Sequence, residues 1–399
     1  MKVEWKKLGE ICEIRGRIGF RGYTRADQVE KGKGALSLSP GNIMEGCLDY
    51  ENTTFISWEK YEESPEIIVE QGDIIFCKTA SVGKVAYIEN LLYKSTINPQ
   101  LVLFKKVSIL PKFLYYILLS DEIQNSVKAT AGVGSVPNIS QTSLAKLNIP
   151  IPLADKQKTI VNQLDAFTSL IASLESELDL RKKQFEHYRN KLYGNTLEEL
   201  KDLSKKGLAT ITTLSEIGTF QRGRRFVRTD IKDVGIPCIH YGDMYTYYGT
   251  KAYCTPTFLD ENFSKKLRYA ENNDVVIVGA GENDIDIGIG VAWLGKKKAA
   301  VHDACYIYSH KENPIYIAHY LRTNIYHQQI KKYVSSGKIC SIPADGIGKA
   351  IIPLPPLSAQ QSIVEKLDAF EQLVAKLEEE IALRKKQYEY YREKLLTFE

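Results

Sequence analysis

Arginine, glycine and aromatic residues crowd into two short stretches that contain no acid. Residues 15–25, RGRIGFRGYTR, carry Arg15, Arg17, Arg21 and Arg25, and residues 222–228, RGRRFVR, carry Arg222, Arg224, Arg225 and Arg228. A guanidinium fork matches phosphate oxygens and can also read a guanine edge, and glycine allows a close approach to a backbone. The chemistry these stretches suit is nucleic-acid recognition, not bond making. A lone basic run is ordinarily a solvated face, but each of these follows a matching L-x-E-I tetrad, at Leu8–Ile11 and Leu214–Ile217. Recurrence at one place in a duplicated chain favours binding. Lys78, Lys84, Lys296 and Lys297 join the candidates, with two polar loops, GVGSVPNIS at 132–140 with Asn138 and GKICSIP at 337–343 with Lys338.

Residues for catalysis or metal binding do not assemble in the same way. His302-x-x-Cys305 is one pair without a second, so it reads as packing and no metal site is expected. Gly41–Gly46 lacks the Lys-Ser/Thr that completes a phosphate loop, and Asp284 stands where a dinucleotide fingerprint needs its third glycine. Asn98-Pro99-Gln100 matches an adenine-methyltransferase motif for two residues only, with no glycine-rich cofactor loop beside it. Neither a nucleophile elbow nor H-E-x-x-H is present. The chain is expected to be non-catalytic and to hold no cofactor itself. A self-contained DNA methylase and a coiled-coil scaffold are the rival readings.

The elements that position these residues come from an internal repeat. IVNQLDAF at 160–167 returns as IVEKLDAF at 363–370, an offset of 203, and LRKKQFEHYRNKL at 180–192 returns as LRKKQYEYYREKL at 383–395. The order is A–B–A′–B′, with diverged first parts and similar last parts. In the B segments, apolar residues run at 4-3-4-3 spacing. Leu164, Phe167, Leu174, Leu178 and Tyr188 lie on the first seam, and Leu367, Phe370, Leu377, Ile381 and Tyr391 on the second. That rhythm makes a long helix with one apolar stripe, whose simplest partner is the other copy. Residues 155–193 would span about 58 Å as a helix. Arg181 and Arg384 fall on core-phase positions. Either each guanidinium snorkels while Leu180 or Leu383 fills the seam, or the R-K-K-Q-aromatic block begins a docking surface. The A segments read as mixed α/β, with short strands at Asp73–Cys77, Leu101–Phe104 and Asp274–Val278 and helices at Pro111–Val127 and Pro314–Tyr333.

The fold expected is therefore α+β, with two mixed α/β domains separated by two long helices. The boundaries are 1–150, a helical spacer 151–194, a linker 195–206, a second domain 207–352 and a second spacer 353–399. Seven cysteines without framework spacing, no apolar leader and no membrane-length apolar run predict a cytoplasmic protein with reduced thiols. The net charge of +4 does not by itself announce a nucleic-acid partner.

The A–B–A′–B′ order, the I-P-[IL]-P run entering each heptad helix and the paired R-K-K-Q-aromatic blocks resemble the specificity subunit of type I restriction–modification enzymes. The resemblance covers essentially the whole chain. It implies two target recognition domains, each reading half of a split, asymmetric site in double-stranded DNA, and helices joined as an antiparallel coiled coil. It also implies two docked methylation subunits and restriction subunits, which would carry S-adenosylmethionine, ATP and Mg2+. Base-reading residues do not transfer, because recognition domains vary with their targets.

Overall fold

The computed structural model describes residues 3–17, 23–44, 46–132, 136–282, 284–335 and 337–398. It divides into two compact units, residues 1–175 with 380–399 and residues 176–379, so each long helix contributes to both. In the first unit the strand Ile74–Cys77 lies between Val85–Tyr87 and Leu101–Lys105, with Glu13–Arg15 beyond, all antiparallel. Ile74 and Phe76 enter a core shared with the helix Pro111–Leu119, whereas Ile75 and Cys77 enter a second core with Leu36 and Leu38 of a neighbouring sheet. Successive strand residues point to opposite faces. Both faces are covered here, which is why this strand is an unbroken apolar run instead of an alternating one.

The second unit repeats the plan. Val275–Val278 lies between Cys305–His310 and Gly290–Trp293, with Gly218–Arg222 on one edge. Each unit also has a five-stranded sheet containing one parallel pair: Ala35–Leu38 with Ser95–Ile97, and Ile236–Ile239 with Ala299–Val301. The helices expected at 111–127 and 314–333 are each broken in two, at Ser120 and before Thr323. The reason is local. Ser120 Oγ donates to the Ile117 carbonyl and Thr323 Oγ1 to the Tyr320 carbonyl, both at 2.7 Å, and both residues turn extended. A hydroxyl that bonds back three residues competes with helix continuation.

The long helices are Ala154–Tyr193 and Leu357–Leu396. Each begins just after its proline run and is fastened by a buried glutamine. Gln157 Nε2 donates to Pro152 O and its Oε1 accepts from Leu110 N. Gln360 repeats this with Pro355 O and Asn313 N. Ile160 and Leu164 join the first unit's core, and Val364 and Leu367 the second's.

Pairing of the helices is visible inside each unit. Phe167 stacks on Tyr391 at 5.5 Å and Glu175 pairs with Lys385 in the first; Lys182 pairs with Glu378 and Tyr188 stacks on Phe370 at 5.2 Å in the second. Numbers rise along one helix as they fall along the other, so the helices run antiparallel. Leu377 and Ile381 are buried and Leu174 and Leu178 half-buried. The idea that Leu180 and Leu383 fill the seam beside the arginines does not hold: they are 63% and 58% exposed. Arg181 and Arg384 lie half-buried along the helix surface, bonded to Gln184 and Glu177 and to Gln387 and Glu380. Neighbouring polar side chains on the same helix satisfy each guanidinium, so no leucine has to replace it. The segment after the first helix carries a short helix, Leu197–Lys205, capped by Thr196.

Candidate nucleic-acid interface

In the first unit four chain segments meet beyond one end of the central sheet. Arg17 Nε donates to the Ile97 carbonyl at 3.1 Å, and its guanidinium lies 5.8 Å from the centre of the Tyr23 ring. Lys78 N donates to Gln100 O and Ile139 N to Lys78 O, each at 2.9 Å. Ala80 N reaches Pro137 O, and Thr79 Oγ1 reaches Asn138 Oδ1 at 2.8 Å. Arg17, Lys78 and Asn138 are thus brought together from distant parts of the sequence, Lys78 and Asn138 by main-chain bonds and Arg17 through its side chain.

The second unit builds the same junction from the corresponding segments. Arg224 N donates to Val301 O and Gly223 N to Cys305 O, both at 2.9 Å, and Arg222 Nε donates to Asp303 O at 2.7 Å. Gly279 N and Ala280 N share the Ala304 carbonyl, and Ile342 N donates to Gly279 O. Ser335 pairs with Ser341, closing the loop that carries Lys338. Arg224, Arg225 and Lys338 are exposed. Gly16 and Gly223 also have a use inside the protein. A Cβ at Gly223 would lie 2.2 Å from the His302 carbonyl oxygen, and one at Gly16 would lie 2.7 Å from Gln141 Nε2. They allow close internal packing of the arginine segments.

Other candidates lie apart from these junctions or are tied to the protein. Arg15 forks onto Glu13 at 2.6 Å, and Lys84 Nζ donates to the Pro40 and Ile43 carbonyls. Arg25 opens a short 3-10 turn before the outer strand Gln28–Val29, and Arg228 opens the counterpart before Ile231–Lys232. Lys296 and Lys297 are exposed on the turn before Ala299–Val301, whereas Arg224 bonds at that strand's far end. Arg21 lies outside the described residues.

Sequence reasoning missed an aromatic cluster behind the second arginine run. His302 lies 4.8 Å from His240 and 5.0 Å from Phe226, and Tyr241 packs on His240 at 4.6 Å. Burial lowers the pKa of both histidines, with Asp303 and Asp243 opposing. Their Nδ1 atoms accept from the Ala304 and Gly242 backbones, which puts the proton of each neutral ring on Nε2. Two donors with no net charge therefore stand behind Arg225. No spacing in the sequence announces them.

Among the described residues, His319, Asp368 and Glu371 are the group whose ligand atoms lie close enough for a metal, within 4.8 Å. The surroundings oppose a dication. Lys251 holds Asp368 at 2.6 Å and Thr250 donates to Glu371. Burial first, then Arg189, Arg322 and Lys251, push the His319 pKa down to about 3. At the matching position in the first unit, Tyr116 donates to Asp165 at 2.5 Å. This is a buried polar node that the first copy satisfies and the second leaves with both His319 nitrogens and Asp368 Oδ1 unpartnered. Among the described residues no helix is long and apolar enough to cross a membrane.

Comparison with known proteins agrees with the repeat. The model of the type I restriction modification DNA specificity domain matches residues 2–180 and again 209–383. A Haemophilus influenzae protein described as a putative type I restriction enzyme specificity subunit is 30% identical over 305 residues, 72% of each chain. The Escherichia coli type I restriction enzyme EcoR124I/EcoR124II specificity subunit is 29% identical, covering 72% of this chain and 70% of its own. The crystal structure of a type I restriction-modification system S subunit from M. genitalium shares the fold, with a TM-score of 0.54 at 16% identity, over 100% of this chain and 97% of that one. With two copies of the domain spanning most of its length, the chain belongs to the family of type I restriction–modification DNA specificity subunits.

Proposed function

We propose that this chain is the non-catalytic subunit that gives a type I restriction–modification complex its DNA target. Each recognition domain reads one half of a bipartite duplex site, and the diverged first parts of the repeat make the two halves different. Phosphate contacts from the arginines and lysines set each domain on the duplex, and a few side chains read bases. The paired helices fix the spacing and, with the R-K-K-Q-aromatic blocks, dock two methylation subunits and the restriction subunits. S-adenosylmethionine, ATP and Mg2+ belong on those partners.

The observation that carries this reading is the repeated four-segment junction. Chain segments in register between the two copies converge at the same place, and each brings basic side chains with it: Arg17 and Lys78 in one, Arg222, Arg224 and Lys338 in the other. The test is a map of methylated adenines in cells that express this chain with its cognate methylation subunit. A split, asymmetric methylated sequence that changes when the first domain is exchanged supports the reading. Methyl transfer by the purified chain alone would instead identify a self-contained methylase.

A further inference from the structure

The two junctions share one feature that charge does not explain. Residues 134–139 read GSVPNI and residues 337–342 read GKICSI, in register at the 203-residue offset, so Val136 corresponds to Ile339. Both are aliphatic and both project into solvent, 54% and 64% exposed. A scattered exposed aliphatic residue is normal. Here, however, the surrounding positions have changed between copies (Pro137 against Cys340, Asn138 against Ser341) while a β-branched side chain stays at the tip.

The loop roots are pinned on both sides. Asn138 bridges to Thr79 and Gly132, and Ala80 N bonds Pro137 O. In the other unit Ser341 and Cys340 pair with Ala280 and Gly281, and Ser335 bridges to Ser341. Gly132 with Asn138, and Ser335 with Ser341, therefore tie the ends of each loop, and a β-branched side chain has few rotamers to lose on binding. Arg17 and Lys78 on one side, and Arg222, Arg224 and Lys338 on the other, suit a partner with negative charge. An apolar tip on a loop bonded into such a basic junction gains nothing from phosphate, but it gains from the bases between the backbones.

We infer that Val136 and Ile339 are base-contacting residues, each pressing an aliphatic side chain against base surface in its own half-site. This rests on the DNA-recognition reading above. The surface is apolar, either the C5 methyl of thymine in the major groove or the face of a base at an opened step.

The test uses Val136→Ser and Ile339→Ser separately in the assembled methylation complex, with the target taken from the methylation map. Affinity is measured on target and unrelated duplexes across a salt series. The expected result is a loss of roughly 10-fold on the target for each variant. Binding to unrelated duplex and the salt slope should stay unchanged, and the methylation map should relax in one half-site only, a different half for each variant. Unchanged target affinity overturns the inference, as does an equal loss on both duplexes with a shallower slope, which would mark a phosphate-binding role. Replacing the thymines of one half-site with uracil separates the two surfaces. If the side chain meets the methyl, the substitution weakens wild type and leaves the serine variant unaffected; if it meets a base face, both respond alike. Salt-independent or absent binding by wild type would overturn the parent reading, and it is seen without any variant.

Discussion

Arg222 and its neighbours divide into two kinds although they share one residue type. Arg222 Nε is engaged by the Asp303 carbonyl, whereas Arg224 and Arg225 are exposed and only the Arg224 backbone is tied down. Replacing Arg224 and Arg225 with Ala should lower the salt slope of duplex binding by about 0.9 for each phosphate that the protein no longer neutralises. Adding Arg222→Ala should reduce binding further and also lower the melting temperature, because it leaves the Asp303 carbonyl without that donor. A titration of binding against salt, with a thermal melt of each variant, checks both parts. The buried node gives a second prediction. His319 is held neutral, with a pKa of about 3, against about 6.5 for an unfolded histidine. The folded state therefore binds fewer protons than the unfolded state between those values. Its contribution to stability is complete above pH 6.5 and is lost as pH falls toward 3. His319→Tyr would import the solution of the first unit, where Tyr116 donates to Asp165. Satisfying Asp368 Oδ1 should add about 1–3 kcal/mol and flatten the acid-side loss, read from melts at about pH 5 and pH 7.

At the scale of elements, the helices owe their position to their ends and their pairing to their seams. Gln157 and Gln360 each join the helix start to the proline run before it and to the loop before the domain helix. Those side chains are almost fully buried. Gln360→Ala leaves the Asn313 N–H and the Pro355 carbonyl without this partner, and should cost about 1–3 kcal/mol. Gln360→Glu, which replaces the Nε2 donor with an oxygen facing the Pro355 carbonyl and the Glu312 carboxylate, should cost at least as much as Ala in a denaturant melt at neutral pH. The seam is more demanding. Leu377 is buried, so Leu377→Asp places an uncompensated charge there and should cost several kcal/mol. With Leu174→Asp added, capture of the methylation subunit should disappear together with helix pairing, as read by pull-down and far-UV circular dichroism. Capture at the wild-type level would show that docking does not depend on the pair.

For the whole molecule, the proposed role makes helix length the ruler for the gap between half-sites. Two modules reading one side of a duplex need centres about one helical turn, roughly 10 base pairs, apart, which leaves roughly 5–8 unread pairs. The antiparallel register sets how the ruler must be changed. Glu175 faces Lys385 and Lys182 faces Glu378, so four residues inserted between Leu174 and Leu178 need four more between Ile381 and Arg384. The matched insertion adds about one turn, or 6 Å, and nearly preserves both seams. At about 3.4 Å per base pair, the methylation map should show a gap longer by one or two pairs, with both half-sites unchanged. Altered half-sites with the old gap would mean that the domains, not the helices, define the spacing.

The sequence alone determined whatever depends on local periodicity or on comparison of the chain with itself. The 4-3-4-3 rhythm, the proline runs and the 203-residue offset specified two long helices, a duplicated plan and the strand at residues 74–77, because helical phase and burial on both faces are written into neighbouring residues. Breaks at Ser120 and Thr323 were invisible, since a serine or threonine inside an apolar run is compatible with either outcome until its hydroxyl finds the carbonyl three residues back. Tertiary structure alone decided which cations gather. Arg17, Lys78 and Asn138 share a junction, while Arg15 is taken up by Glu13 and Lys84 by two carbonyls, because each outcome depends on partners that local pattern does not specify. The same holds for the neutral His240–His302 pair and for the exposed Leu180 and Leu383. Burial, protonation and exposure are set by what the rest of the chain brings alongside, and that information appears only when distant segments meet.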